Sequence, residues 1–171
     1  MKPVPAAATE QIFLEDDRKF PNNSLPALFY RGALKLPGLF PAFFLRKFFK
    51  QNGWSNSWKF GIYEYHHYHS ITHEVLGVIS GKTTLLLGGE NGVKINIARG
   101  DVIIIPAGVA HKNLGKQNDV VCVGAYPEGM DYDMNYGNAG ERPQTDWNIK
   151  KVPLPSADPV YGSKGGITRY W

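Results

Sequence analysis

Cysteine is almost missing: Cys122 is the only one in 171 residues. The chain therefore forms no internal disulfide. That excludes a small secreted scaffold stapled by bridges and fits a reducing, cytoplasmic setting. A long apolar run is also lacking. The strongest, Val102 to Ala110, is too short to cross a bilayer and is interrupted by Pro106 and Gly108. The opening MKPVPAAATEQ has no apolar core of signal-peptide length. There is no internal repeat, no long basic run and no helix-turn-helix or zinc-finger pattern. The net charge is +4, but its lysines and arginines are scattered, densest at Arg46-Lys47-Lys50 and Lys150-Lys151. Membrane and nucleic-acid partners are thus not expected. A small, anionic substrate suits the mild positive bias.

What is present describes a globular domain. The hydrophobic fraction is 43% and the charged fraction 20%. A domain of this length buries roughly 70% of the surface its unfolded chain exposes, enough for a core without staples. Residues 1–9 read as a loose arm, and Gln11–Glu15 and Leu28–Arg31 as short strands around the turn Pro21-Asn22-Asn23-Ser24. Pro41 to Gln51 reads as a helix, with Pro41 in its first turn and Gly53 just past its end. Phe44, Leu45 and Phe48 recur at helical spacing, and Phe43 and Phe49 widen the stripe. Packing on the core is the expectation for that face, with a dimer contact as the alternative.

From Ser57 the pattern changes to short β-rich runs between glycine turns. They are Lys59–His69, Glu74–Ile79, Thr83–Leu87, Val93–Ala98, Val102–Ile105 and Val120–Tyr126. Asn91-Gly92 is a hairpin signal. Many short strands without an intervening helix mean an all-β sandwich or small barrel and exclude a parallel βαβ sheet. The expected organisation is one domain: an N-terminal arm, strands and helix over 1–56, a barrel over 57–127, and a proline-rich extended tail over 128–171 laid across it.

The chemistry concentrates in the histidines. His66, His67, His69 and His73 fall within eight residues, and His111 stands apart. On a strand, His67 and His69 share a face with Tyr63 and Tyr65, while His66 and Tyr68 face the other way. A turn at Ser70-Ile71-Thr72 brings Glu74 back beside them. Two imidazoles and a carboxylate suit a divalent metal, and His111, after the turn Pro106-Ala107-Gly108, can supply a third imidazole. Tyr63 and Tyr65 are candidates for the substrate pocket, with core packing as the alternative. His66 and His73 read as structural or surface residues, and Cys122 as a small hydrophobe.

The spacing is specific. Gly61, His67, His69, Glu74 and Gly81 fit the first cupin motif, G-x5-HxH-x4-E-x6-G, and Gly100, Pro106, Gly108 and His111 fit the second, G-x5-PxG-x2-H. The Asn that usually follows in the second motif is replaced by Gly115, with Asn113 nearby. That departure touches a turn and no ligand. The chain resembles single-domain members of the cupin superfamily. FGIYEYHHYHSITHEVLGVISG and GDVIIIPAGVAHKN are similar to the YjlB-type cupins, a bacterial group without an established reaction. The resemblance implies an antiparallel β-barrel of jelly-roll type with one short N-terminal helix, a metal held by His67, His69, Glu74 and His111, and a homodimer. It implies no substrate.

Four protein ligands fill a tetrahedral Zn²⁺, whereas octahedral Fe²⁺, Mn²⁺ or Ni²⁺ keeps adjacent positions open. The expected function is accordingly that of a metal-dependent oxidoreductase, dioxygenase-like, on a small oxygen-rich molecule. A metal-dependent isomerase or lyase is the second enzyme option. A non-catalytic cupin that binds metal or a small molecule is the third reading.

Overall fold

A computed structural model describes residues 3–5 and 8–171. Of the arm at 1–9, residues 1, 2, 6 and 7 therefore lie outside the described residues. Pro3 bridges Leu34, and the Val4 N–H donates to the Ala33 carbonyl at 2.9 Å, so this part of the arm is tied down.

The elements in chain order are β1 (Thr9–Leu14), β2 (Asn23–Tyr30), α1 (Pro41–Gln51), β3 (Trp54–Phe60), β4 (Glu74–Leu87), β5 (Val93–Ala98), β6 (Val102–Ile105), β7 (His111–Asn113), β8 (Val120–Pro127), α2 (Gln144–Ile149) and α3 (Ile167–Tyr170). The protein is mostly β, and every strand pairing is antiparallel. The main path runs β1-β2-β6-β4-β8-β3, with β5 and β7 pairing on β4. Glu74–Ile79 and Thr83–Leu87, expected as separate strands, are one 14-residue strand. Ser80-Gly81-Lys82 reads as a turn, but Gly81, at φ +75°, bends the strand without ending it. The register against β8 slips between Val78 and Ser80, a bulge at that bend. The first half of β4 lies between β6 and β8, and the second half between β5 and β7.

Alternation along the strands makes two apolar layers. Leu76, Val78, Ile103 and Ile105 turn inward, onto Leu85, Leu87, Ile95 and Ile97 of the second half of β4 and of β5. Their neighbours Val75, Ile79, Val102 and Ile104 turn the other way, onto Leu45, Phe48 and Phe49 of α1. β6 is apolar throughout because both of its faces are covered. Pro41 at the start of α1 and Gly53 after its end act as the sequence suggests, with the Gly53 N–H bonded to the Lys50 carbonyl at 3.1 Å. The widened phenylalanine stripe divides: Phe48 and Phe49 are buried, while Phe43 remains 63% exposed beside exposed Phe40.

Residues 128–171 are not extended throughout. They include the helical turns α2 and α3, and Pro143 directly precedes α2, where a missing N–H costs nothing. The segment is tied to the β strands by buried polar contacts. The Tyr30 hydroxyl donates to Asp158 at 2.5 Å, the Trp54 indole to the Ala157 carbonyl at 2.9 Å, and the Trp171 indole to the Pro26 carbonyl at 2.9 Å. Among the described residues, no helix is long and apolar enough to cross a membrane.

Gly77 explains how α1 lies so close. It points outward from β4, and a Cβ there would press on Leu45 and Phe49 at 2.7 and 2.9 Å. Glycine ordinarily weakens a strand, so its presence answers to this approach. Gly77→Val is expected to lift α1 and cost about 1–3 kcal/mol by overpacking. Urea unfolding followed by circular dichroism measures it.

Candidate metal centre

The segment carrying the histidines is not the regular strand that alternation suggested. β3 ends at Phe60, and residues 61–73 follow with sparse pairing. A Cβ at Gly61 would meet the Gln117 carbonyl, and Glu64 accepts the Gln117 N–H at 2.7 Å. These contacts turn the chain out of the sheet. Its parity nonetheless survives. His67 and His111 exchange both backbone hydrogen bonds, at 3.2 and 3.0 Å, and the His69 carbonyl accepts from the Gly108 N–H at 2.7 Å. Between them, Tyr68 turns to the other side and exchanges backbone bonds with Asn135 at 2.9 and 3.0 Å.

His67, His69 and His111 are all buried, and their ligand atoms lie within 4.8 Å of one another, a cluster that can hold a metal ion. Each Nδ1 faces a backbone carbonyl: that of Tyr65 for His67 at 3.3 Å, Asp133 for His69 at 2.5 Å and Val109 for His111 at 3.2 Å. A ring whose Nδ1–H is so engaged offers Nε2 as its free lone pair. The Nε2 atoms of His69 and His111 both lie 3.5 Å from Glu74 Oε2. That oxygen is buried and has no hydrogen-bond partner. The other carboxylate oxygen accepts the Tyr126 hydroxyl at 3.1 Å, and Tyr126 in turn accepts the Trp58 indole N–H at 2.9 Å.

The electrostatics follow from burial and this one carboxylate. Burial pushes His67 down to about 4 and His111 well below its ordinary value, so both are neutral at pH 7. Burial also opposes a charged His69, but Glu74 and Asp133 outweigh it and raise that imidazole. Burial would raise Glu74, yet the imidazoles, His69 foremost, hold it down at about 2. Tyr126 is pushed up by burial and by Glu74, so its hydroxyl is a donor and no base.

A cavity of about 350 Å³ opens above the imidazoles. Tyr63 lines it; Tyr65 does not, and stacks instead on the outside of Tyr63 at 4.8 Å. His66 faces away, against the Phe20 ring and 3.4 Å from Glu90. His73 packs under Trp171 at 4.7 Å and accepts the Ala107 N–H at 3.0 Å. Trp58, Tyr126, Tyr132 and Met134 also line the cavity, and sequence reasoning missed them. For Tyr126 a signal existed. It shares the inward parity of Cys122, and pairing of Val75 with Ala125 sets it beside Glu74. Asp133 was missed too. Its carboxylate accepts from the Ser70 N–H at 2.6 Å and from the Ser70 hydroxyl at 2.5 Å, fixing the loop whose His69 its carbonyl orients.

The uncharacterized protein YjlB of Bacillus subtilis (strain 168) is 40% identical to this chain over 164 residues, covering 95% of this chain and 96% of that protein. No family model matches. Among solved structures, acireductone dioxygenase from Bacillus anthracis, with cadmium ion in its active center, is 16% identical and covers 75% of this chain and 99% of its own at a TM-score of 0.42. Oxalate decarboxylase of Bacillus subtilis is 18% identical and covers 67% of this chain and 28% of its own at 0.37. Superpositions this loose carry no weight on the reaction.

Asp133→Ala removes the hook on Ser70 while leaving every imidazole in place. It is expected to lower affinity for Ni²⁺ about 10- to 100-fold, the usual effect of freeing a ligand's support. Calorimetric titration of both proteins with Ni²⁺ checks this. Unchanged affinity means that the loop stands without Asp133.

Proposed function

The chain belongs to the YjlB family of cupins, and from that premise we propose that it is a metal-dependent oxidoreductase, dioxygenase-like, acting on a small oxygen-rich molecule. His67, His69, His111 and Glu74 hold the ion in this reading. A single observation carries it: imidazoles oriented by backbone carbonyls converge on one buried carboxylate oxygen, two of their Nε2 atoms 3.5 Å from it, at the floor of an open cavity. Three imidazoles and a buried carboxylate gathered this closely are a donor set that suits a divalent cation.

Bound there, Fe²⁺, Mn²⁺ or Ni²⁺, or less aptly Zn²⁺, supplies a Lewis acid and template for oxygen donors, and Fe²⁺ or Mn²⁺ a redox centre as well. The protein's own groups do the rest. Tyr126, held by the Trp58 indole, fixes one oxygen of Glu74 and leaves the other free. Tyr63 stands edge-on to His67 at 5.3 Å, where its phenol can donate to an oxygen that gains charge during reaction. The aromatic walls keep bulk water from the floor. A cytoplasmic setting goes with this reading, supported by a lone, buried cysteine. So does a homodimer, supported by exposed Leu39, Phe40 and Phe43 around the start of α1.

Replacing His67 or His111 by Ala is expected to reduce metal in the purified protein to about a tenth of wild type or less, measured by elemental analysis. If both variants keep wild-type stoichiometry, the ligand assignment fails. Tyr63→Phe should slow turnover with metal content intact. Substrate binding without oxygen uptake would shift the reading to an isomerase, a lyase or a binding protein.

Metal uptake must also displace the proton that Glu74 favours on His69. Affinity should therefore fall about tenfold per pH unit below the raised value of His69, with His67 adding to the loss only near pH 4. Ni²⁺ titrations between pH 5 and 8 (roughly the range of a stable fold) read that slope. A flat profile would show that no imidazole proton is released.

A further inference from the structure

We propose that the cavity above the imidazoles selects a ligand with a flat aromatic body and an oxygen-chelating end. The chelating end rests on the metal-centre reading; the aromatic body rests on the walls. Trp58, Phe60, Tyr63, Tyr126 and Tyr132 form most of those walls, and Ile62, Leu76 and Met134 fill in between. Apart from the candidate ligands, the one ionisable residue besides the tyrosines at the wall, among the described residues, is Lys59. It pairs with Val123, whose side chain belongs to the layer against α1. Directly paired residues share a face of the sheet, so the Lys59 amine is aimed away from the cavity.

The walls thus offer a ligand little besides ring faces, ring edges and phenol hydroxyls. A polyhydroxylated or multiply charged molecule would shed its water there and find few partners, which is costly. A flat ring sheds little and gains stacking.

The rings are also arranged for it. Tyr126 and Tyr132 stack at 4.8 Å and 20°, and stand edge-on to His69 at 5.8 and 5.1 Å. Tyr63 and Tyr65 stack at 4.8 Å and 17°, with Tyr63 edge-on to His67. The imidazoles are therefore flanked by two upright tyrosine pairs. Phe60 and Tyr132 leave 51% and 46% of their surface open at the mouth, apolar area that a ring would cover. A volume of about 350 Å³ is at the small end of ligand pockets.

The test compares ligands that share one chelating head. Mandelate and lactate are both α-hydroxycarboxylates and differ in phenyl against methyl. On Ni²⁺-loaded protein, calorimetry should show mandelate binding at least about tenfold tighter. Phe60→Ala and Tyr132→Ala should each bring that ratio to about threefold or less, with nickel content unchanged. Equal affinities in a protein that holds nickel stoichiometrically, or a ratio unchanged in both variants, overturn the aromatic proposal and leave the metal centre standing. A protein that takes up no nickel overturns the metal-centre reading instead. The same two ligands on that metal-free protein then decide the aromatic proposal, since a preference for mandelate must persist without the ion.

Discussion

A carboxylate held away from water must have company, and Glu74 is where this molecule meets that requirement. It starts the longest strand, its side chain is 2% exposed, and its neighbours are chosen to suit a negative charge. On one side Tyr126 donates to it, steadied by Trp58. On the other side imidazoles approach from two separate stretches of chain. Strand pairing makes both possible. β8 sets Tyr126 beside Glu74, and the short exchange between His67 and His111 brings the distant imidazole in. Loss of one neighbour would leave a buried charge under-compensated, which is far costlier than loss of a surface pair.

The rest of the fold keeps this arrangement dry and stiff. The inner apolar layer lies beneath it. The outer layer is sealed by α1 and by the segment that ends at Trp171. Close approach is bought with small residues at two contact points. Gly77 admits the side chains of α1, and Gly124 lies under the Trp58 indole, where any Cβ would collide with the ring. Trp58 can thus lie flat enough to reach Tyr126 while forming part of the cavity wall.

Much of this was legible in the residue order, for physical reasons. Period-two alternation and glycine punctuation located β5, β6 and β8, and the proline-to-glycine frame located α1, because those signals are local. The histidine spacing singled out the cluster because the same parity rule holds even where the ladder is sparse. What escaped was non-local or carried by the backbone. Ser80-Gly81-Lys82 looks like a turn, since a bend and a break share the same glycine. The carbonyls of Tyr65, Val109 and Asp133 orient the imidazoles, and a carbonyl leaves no trace in residue type. Tyr65 was placed in the pocket by parity, but the chain leaves the sheet at Gly61, and Tyr65 ends up outside, stacked on its neighbour. Tyr132 and Met134 come from a stretch without periodicity, so nothing local aimed them at the cavity.

The position of Asp133 sets an order of events during synthesis. His67, His69, Glu74 and His111 are all translated before it, yet the carbonyl that turns His69 and the carboxylate that fixes Ser70 arrive afterwards. Trp171, which packs on His73 next to Glu74, comes later still in the chain. A nascent chain that has reached His111 thus carries its imidazoles without the groups that aim them. Domains form as units once enough chain has emerged. Here completion of the cluster waits for Asp133, and a chain cut short before residue 133 is one in which the histidines are present but undirected.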